Sequence, residues 1–357
     1  MPISAIDAIS PAIQHTRQQL FQPFRLGQWL RIALVGFLAG ELTSGGCSGN
    51  FQLPSHSSGG QRFVASPLSN IDPAAMAGLI ALLMVLGAIL LLLFLYLSSV
   101  MRFIQFDTVV EKKCEIRRGW NRRQSPGLRY FGWQLLLFVI GPLGMALLIG
   151  VPALLVFALG WFKDPKQHMV VLVLGGMALF LVFFAFLVAW LLVHVLTKDF
   201  VVPQMAIDGI GAFEGWRRFW RQLNSEKGSY AGYIGMKIVM AIGVAVVIGI
   251  IAFIVILIVL IPIGGLGAIA VLGGKAAGLQ WDLYTITLAV VVGCMFLVVV
   301  LYAISLVSVP AMVFFPAYSI YFFAARYPAL DNLIHPVPQA LPPQVLPEPP
   351  PYAPEIR

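Results

Sequence analysis

The chain has 357 residues, 59% of them hydrophobic and only 11% charged, with a mean hydropathy of +0.89 and a formal net charge of +8. A water-soluble domain carries about a quarter charged residues, so this composition excludes a soluble globule. The cations concentrate in two loops between apolar runs, which excludes nucleic acid as their partner and points to the anionic cytoplasmic leaflet of a membrane.

Residues 3–20 predict a short amphipathic helix. Ile6, Ile9, Ile13 and Leu20 recur near the helical period, and Asp7, Gln14, Arg17 and Gln18 fall on the other side. Ser4-x-x-Asp7, or Ser10 followed by Pro11, would cap it. Such a helix lies flat in the membrane interface or packs on the protein's own surface. Span one is expected over 28–42. It is short and contains Arg31, which can snorkel to the headgroups. Residues 43–72 read as a flexible Gly/Ser/Asn/Pro loop on the outside. Cys47 in this loop, with Cys114 and Cys294, fits neither a metal site nor a complete disulfide set. Span two, 73–97, is apolar and uncharged over its whole length.

The stretch Arg102–Arg129 is strongly basic and includes Arg117, Arg118, Arg122 and Arg123 around Trp120. A loop of this kind resists translocation and marks the cytoplasmic side. Asp107, Glu111 and Glu115 follow each other at i, i+4 and i+8, which predicts ion pairs within one helix. Span three, 130–160, exceeds what a straight crossing needs, and Gly141-Pro142, with Gly144 and then Val151-Pro152, predicts a kink, tilt or break. Span four covers 169–196, with His194 near its cytoplasmic end. The second loop, Lys198–Ser229, carries Arg217, Arg218 and Arg221 with Trp216 and Trp220. In it Ala206, Ile210, Phe213, Trp216, Trp220 and Leu223 fall on one side, and Asp208, Arg218, Arg221 and Gln222 on the other. That face packs on lipid or on the helices above it. Span five, 230–262, enters a Gly-rich stretch containing Pro262, Gly264 and Gly265; span six is 283–323, bent by Pro310 and Pro316. Residues 326–357 form a proline-rich cytoplasmic tail expected to be disordered.

With both termini inside, only Arg62, Lys163, Lys166 and Lys275 of the 23 lysines and arginines fall outside. The asymmetry predicts six spans in the cytoplasmic (inner) membrane with cytoplasmic N- and C-termini. The two basic loops also match each other. Gly119-Trp120 corresponds to Gly215-Trp216, Arg122 to Arg218, and Tyr130-x-Gly132-Trp133 to Tyr230-x-Gly232-Tyr233, with Gly27-Gln-Trp29 as a weaker third copy. The expected fold is therefore all-α and integral to the membrane: three helix-hairpin repeats, each preceded by an amphipathic cytoplasmic helix.

The run Phe200-Val-Val-Pro203-x-Met205-Ala-Ile207-Asp208, followed by Ala212-Phe213-Glu214-Gly215-Trp216-Arg217-Arg218-Phe219-Trp220, resembles several bacterial membrane-domain families. One is the membrane domain attached to some glycerophosphodiester phosphodiesterases. The resemblance covers mainly residues 170–250 and implies a membrane module. The chain has no phosphodiesterase domain, so that activity does not transfer, and Asp107 stands where the pattern has proline.

No hydrolase triad, zinc set, P-loop or dinucleotide fingerprint is present in the sequence, so no enzyme activity and no cofactor is expected. Spans two to six lack central charges, which argues against an ion-coupled carrier. The expected role is packing with membrane lipids or other membrane proteins. The alternative is a carrier for a lipid or neutral solute, using the paired interruptions Gly141, Pro142, Gly144 and Pro262, Gly264, Gly265.

Overall fold

A computed structural model describes residues 4–41, 73–161, 168–276 and 283–335. Ten α-helices make up its regular structure: α1 (Ile9–Phe21), α2 (Leu26–Leu38), α3 (Pro73–Val110), α4 (Ile116–Ala158), α5 (Met169–Leu196), α6 (Val202–Asp208), α7 (Ala212–Ser225), α8 (Lys227–Ala276), α9 (Leu283–Ala324) and α10 (Pro328–Ile334). A π-helical turn, Thr197–Val201, joins α5 to α6.

Among the described residues five helices are long and apolar enough to cross a membrane: those holding Ala81–Val110, Ile116–Ala158, Met169–Asp208, Lys227–Ile258 and Val290–Ala324. Each divides into two parts. The apolar arms (around Leu82–Phe94, Phe138–Leu159, Met169–Leu191, Ile238–Ile261 and Leu288–Val299) carry exposed leucines, valines, isoleucines and phenylalanines. The opposite parts converge with α1, α2, α6, α7 and α10 into a compact basic body. Uncharged arms have nothing to offer water, whereas in the body every helix has an apolar face to bury.

Aromatic rings hold the body together. Phe200, fully buried on the π turn, meets Phe219 of α7 at 5.0 Å, Tyr233 and Tyr230 of α8 at 5.1 and 5.2 Å, and Phe323 of α9 at 5.3 Å. One ring thus ties four elements, and such pairs add about 0.5–1.5 kcal/mol each beyond the area they bury.

Span one is not among these five helices. Its helix, α2, has 13 residues, about 20 Å at 1.5 Å per residue against a hydrocarbon core of about 30 Å. It is instead laced into the body. Gln28 Nε2 donates to Lys112 O at 2.9 Å, Tyr302 Oη donates to Leu30 O at 3.1 Å, and Ser305 Oγ donates to Ala33 O at 2.7 Å. Arg102 Nη2 donates to Ala39 O at 2.6 Å. Residues 42–72, which link α2 to α3 in sequence, lie outside the described residues, Cys47 among them.

The prolines do not break their helices. Helix α4 is continuous through Pro126, Pro142 and Pro152, and α9 through Pro310 and Pro316. Helix α8 likewise runs on through residues 262–265. In α9 the reason is visible. Proline lacks an N–H, so it orphans the carbonyl four residues earlier. Pro310 orphans Leu306 O, and Trp29 Nε1 donates to it at 3.0 Å. Pro316 orphans Met312 O, and Gln105 Nε2 donates to it at 3.1 Å. Side chains of α2 and α3 thus replace both missing backbone donors.

Two further expectations change. Asp107, Glu111 and Glu115 do not share a helix, because α3 ends at Val110. Asp107 pairs with Arg123 and Glu111 with Arg122, both across to α4, while Glu115 pairs with Arg118. The start of the tail is also ordered. In α10 Leu330 is buried, and just before it Arg326 bonds Glu226 at 2.8 Å. Residues 336–357 lie outside the described residues.

Candidate ligand cavity and membrane interface

Between the arms of α3, α4 and α5 lies a cavity of about 860 Å³. Its walls are Phe94, Leu137, Phe138, Met145, Ile149, Phe186 and Trp190, and Ser98, Gln134 and His194 line its end near the body. Ser99 Oγ donates to Gln134 Oε1 at 2.5 Å, which orients the amide. Gly141 and Gly144 let α5 approach α4. A Cβ on Gly141 would stand 2.6 Å from the Trp190 ring, and one on Gly144 would stand 3.0 Å from Phe186. The cavity therefore offers oily walls and a small neutral polar floor, the usual make-up of a site for a largely apolar ligand.

Gly141, Pro142 and Gly144 thus serve as cavity wall and packing surface rather than as a break. Gly265 has no heavy atom within 4 Å for a Cβ to meet. The side chains of Pro262 and Gly264 lie outside the described residues. Among the described residues, Gly265 is not in the lining of this cavity.

Below the cavity floor, the sequence reading missed a cluster of buried charge. Glu41, just past α2, pairs with Arg102 of α3 at 3.5 Å and with Lys198 of the π turn. Asp199 pairs with Lys237 of α8 and accepts a hydrogen bond from Tyr233 Oη at 3.0 Å. The two carboxylates are 2% exposed. Four elements meet here, and each charge has a partner, as burial requires. One signal pointed to it: Arg102 stands to Gly119 as Lys198 stands to Gly215. Glu41 carried no signal, because nothing in the sequence tied it to those cations.

Residues 3–333 match a family described as of unknown function, DUF7544. The chain belongs to that family. No curated protein and no solved structure matches it. The DUF7544 match covers nearly the whole chain, and the likeness to the phosphodiesterase-linked membrane domain is not carried further by it.

The interface residues of this DUF7544 chain divide between inside and outside. In α7, Gly215 and Phe219 face the body, where a Cβ on Gly215 would come within 2.7 Å of Val201. Trp216 is half-buried and its Nε1 donates to Thr197 Oγ1 at 3.0 Å. Phe213 and Trp220 point outward, flanked by the exposed Arg217 and Arg221. The helix thus packs on the body by one side and presents aromatic and cationic groups on another. Arg217 and Arg218 hydrogen-bond Glu214 and hold its carboxyl below the usual range. Arg218 also pairs with Asp208 at 2.7 Å.

In the first copy Gly119 lies against Ile104, where a Cβ would approach to 3.1 Å. Trp120 meets Tyr96 edge-on at 6.1 Å. Arg117, Arg118 and Arg122 are exposed. Arg123 is not: it grips Asp107 at 2.5 and 2.7 Å and donates to Ala206 O at 2.6 Å, so it is a structural strut between α3, α4 and α6. Among the described residues no group of three or more His, Cys, Asp or Glu side chains is placed to hold a metal.

Proposed function

We propose that this chain is a non-enzymatic protein of the cytoplasmic membrane that binds lipid, holding an apolar chain in the cavity between α3, α4 and α5. The observation that carries the reading is the cavity itself: about 860 Å³, oily walls, and a floor of Ser98, Gln134 and His194. The basic body faces the cytoplasm, in keeping with the concentration of lysine and arginine there. Its outward groups, Phe213, Trp220, Arg217 and Arg221 with Arg117, Arg118 and Arg122, rest against anionic headgroups. The hairpin units are α2 with α3, α4 with α5, and α8 with α9, each entered from a cytoplasmic helix; the packing of the two helices of each pair on one another supports this reading.

The test is lipid retention. Protein extracted in mild detergent should carry bound lipid that mass spectrometry detects. Ala146→Trp, which fills the cavity from α4, should lower retention about tenfold, or ~1.4 kcal/mol. Retention unchanged by that substitution would overturn the reading. A second reading, a carrier for a lipid or neutral solute, draws on the neutral polar floor. It predicts that Ala146→Trp abolishes transfer in reconstituted vesicles. Lipid retention without any transfer would decide against it.

A further inference from the structure

A second cavity, about 620 Å³, lies in the cleft between α2 and the start of α4. Arg31 of α2 and Arg117 and Arg118 of α4 converge on it, with Asn121 alongside and Glu115 as the one carboxylate in its lining. All three guanidiniums are exposed, and Glu115 is engaged by Arg118 at 3.6 Å. The cleft therefore holds a surplus of positive charge contributed by two separate elements.

Its depth relative to the arms follows from the packing around it. Ile116, one of its lining residues, shares an apolar cluster with Trp29, Trp120, Tyr96, Leu97 and Tyr302. Tyr96 follows directly on the exposed band of α3 that ends near Phe94, and Tyr302 follows that of α9, which ends near Val299. Tyrosine and tryptophan at the end of an apolar band mark the membrane–water boundary. On α2 the exposed leucines Leu26, Leu30 and Leu34 run at i, i+4 and i+8, and Leu34 stands one helical turn from Arg31. Cations at headgroup depth thus border an exposed apolar stripe.

We propose that this cleft binds the phosphate of an anionic phospholipid, with its acyl chains lying along Leu30 and Leu34. Arginine suits the task, since its planar fork bonds phosphate oxygens two at a time. The α3–α5 cavity has oily walls and a neutral floor, so the two sites take different parts of lipid chemistry and are separable. The proposal rests on the membrane reading above and adds a headgroup preference to it.

The experiment is native mass spectrometry of the full chain in detergent, titrated with phosphatidylglycerol, phosphatidylcholine or inorganic phosphate. Phosphatidylglycerol should bind in preference to phosphatidylcholine. Combined Arg31→Gln, Arg117→Gln and Arg118→Gln should weaken phosphatidylglycerol binding at least tenfold, while Arg17→Gln, elsewhere on α1, should leave it unchanged. Lysine at the same three positions should recover part of the loss. Equal phosphatidylglycerol binding by the triple variant and the parent would overturn the site. Displacement of the lipid by millimolar inorganic phosphate would overturn its assignment to a lipid. Failure of the membrane reading itself would show separately, as release of the protein from membranes by alkaline carbonate washing.

Discussion

Trp29 and Pro310 offer the sharpest test of how the body is assembled. Pro310 leaves Leu306 O without its helical donor, and the indole of Trp29 supplies one at 3.0 Å. Trp29→Phe keeps an aromatic ring in place and removes only that donor. A buried carbonyl left unsatisfied costs about 1–3 kcal/mol, and the smaller ring adds a packing loss of similar size. Pro310→Ala restores a backbone N–H to Leu306 O. In that background the indole is no longer needed, so Trp29→Phe should cost only the packing loss. The coupling between the two substitutions should be about 1–2 kcal/mol, within the range found for directly contacting pairs. Stability in detergent, measured for the parent, both single variants and the double variant, gives the coupling directly. A Trp29→Phe cost that is the same with and without Pro310 would refute the reasoning. Gln105 and Pro316 form a parallel cycle through Met312 O.

Glu41→Gln leaves Arg102 and Lys198 buried without their carboxylate and should destabilise by about 3–5 kcal/mol; a loss below ~0.5 kcal/mol in thermal unfolding would match an exposed pair instead. Gly215→Ala should cost about 1–3 kcal/mol by overpacking against Val201, whereas Gly232→Ala, with open space around it, should be neutral or stabilising by up to ~1 kcal/mol. His15 is buried, its Nε2 donating to Val109 O at 2.9 Å and its Nδ1 accepting from Tyr321 Oη at 3.1 Å. Burial first, then the charge of Lys112, lowers its pKa. The unfolded chain therefore takes up a proton before the folded one, so the stability His15 contributes is complete above about pH 6.5 and drains away as pH falls below it. The protection of α1 against hydrogen exchange, taken relative to the intrinsic exchange rate at each pH, should be lower at pH 5.5 than at pH 7.5, and His15→Asn should flatten that difference.

Much of this architecture was legible because it rests on composition and repetition. Long uncharged runs announced the arms of α3, α4, α5, α8 and α9, and Gly119-Trp120 and Gly215-Trp216 marked two places where a glycine lets one helix seat on another. Contacts between residues far apart in the chain were not legible. Residues 28–42 have the apolar content of a span, yet the thirteen residues of α2 are too few for one, and they dock on α9 through hydrogen bonds that no local pattern reveals. Glu41 has no local partner in the sequence, and its cationic partners lie 61 and 157 positions onward. The continuity of α9 through its prolines was hidden for a related reason. A proline's effect on a helix depends on whether a donor arrives from elsewhere, and here Trp29 and Gln105 arrive. In the cavity, the small size of Gly141 and Gly144 admits the rings of Trp190 and Phe186, a contact that the local sequence did not reveal.

The account stands on the basic body and the far ends of the arms lying on opposite sides of one membrane. Sided cysteine labelling tests this directly, in a chain whose own Cys47, Cys114 and Cys294 are replaced by serine. A membrane-impermeant maleimide should modify Met169→Cys, at the far end of α5, in intact cells, and Ser125→Cys, on the basic body, only after permeabilisation. The opposite pattern, or equal labelling of both positions in intact cells, would contradict it.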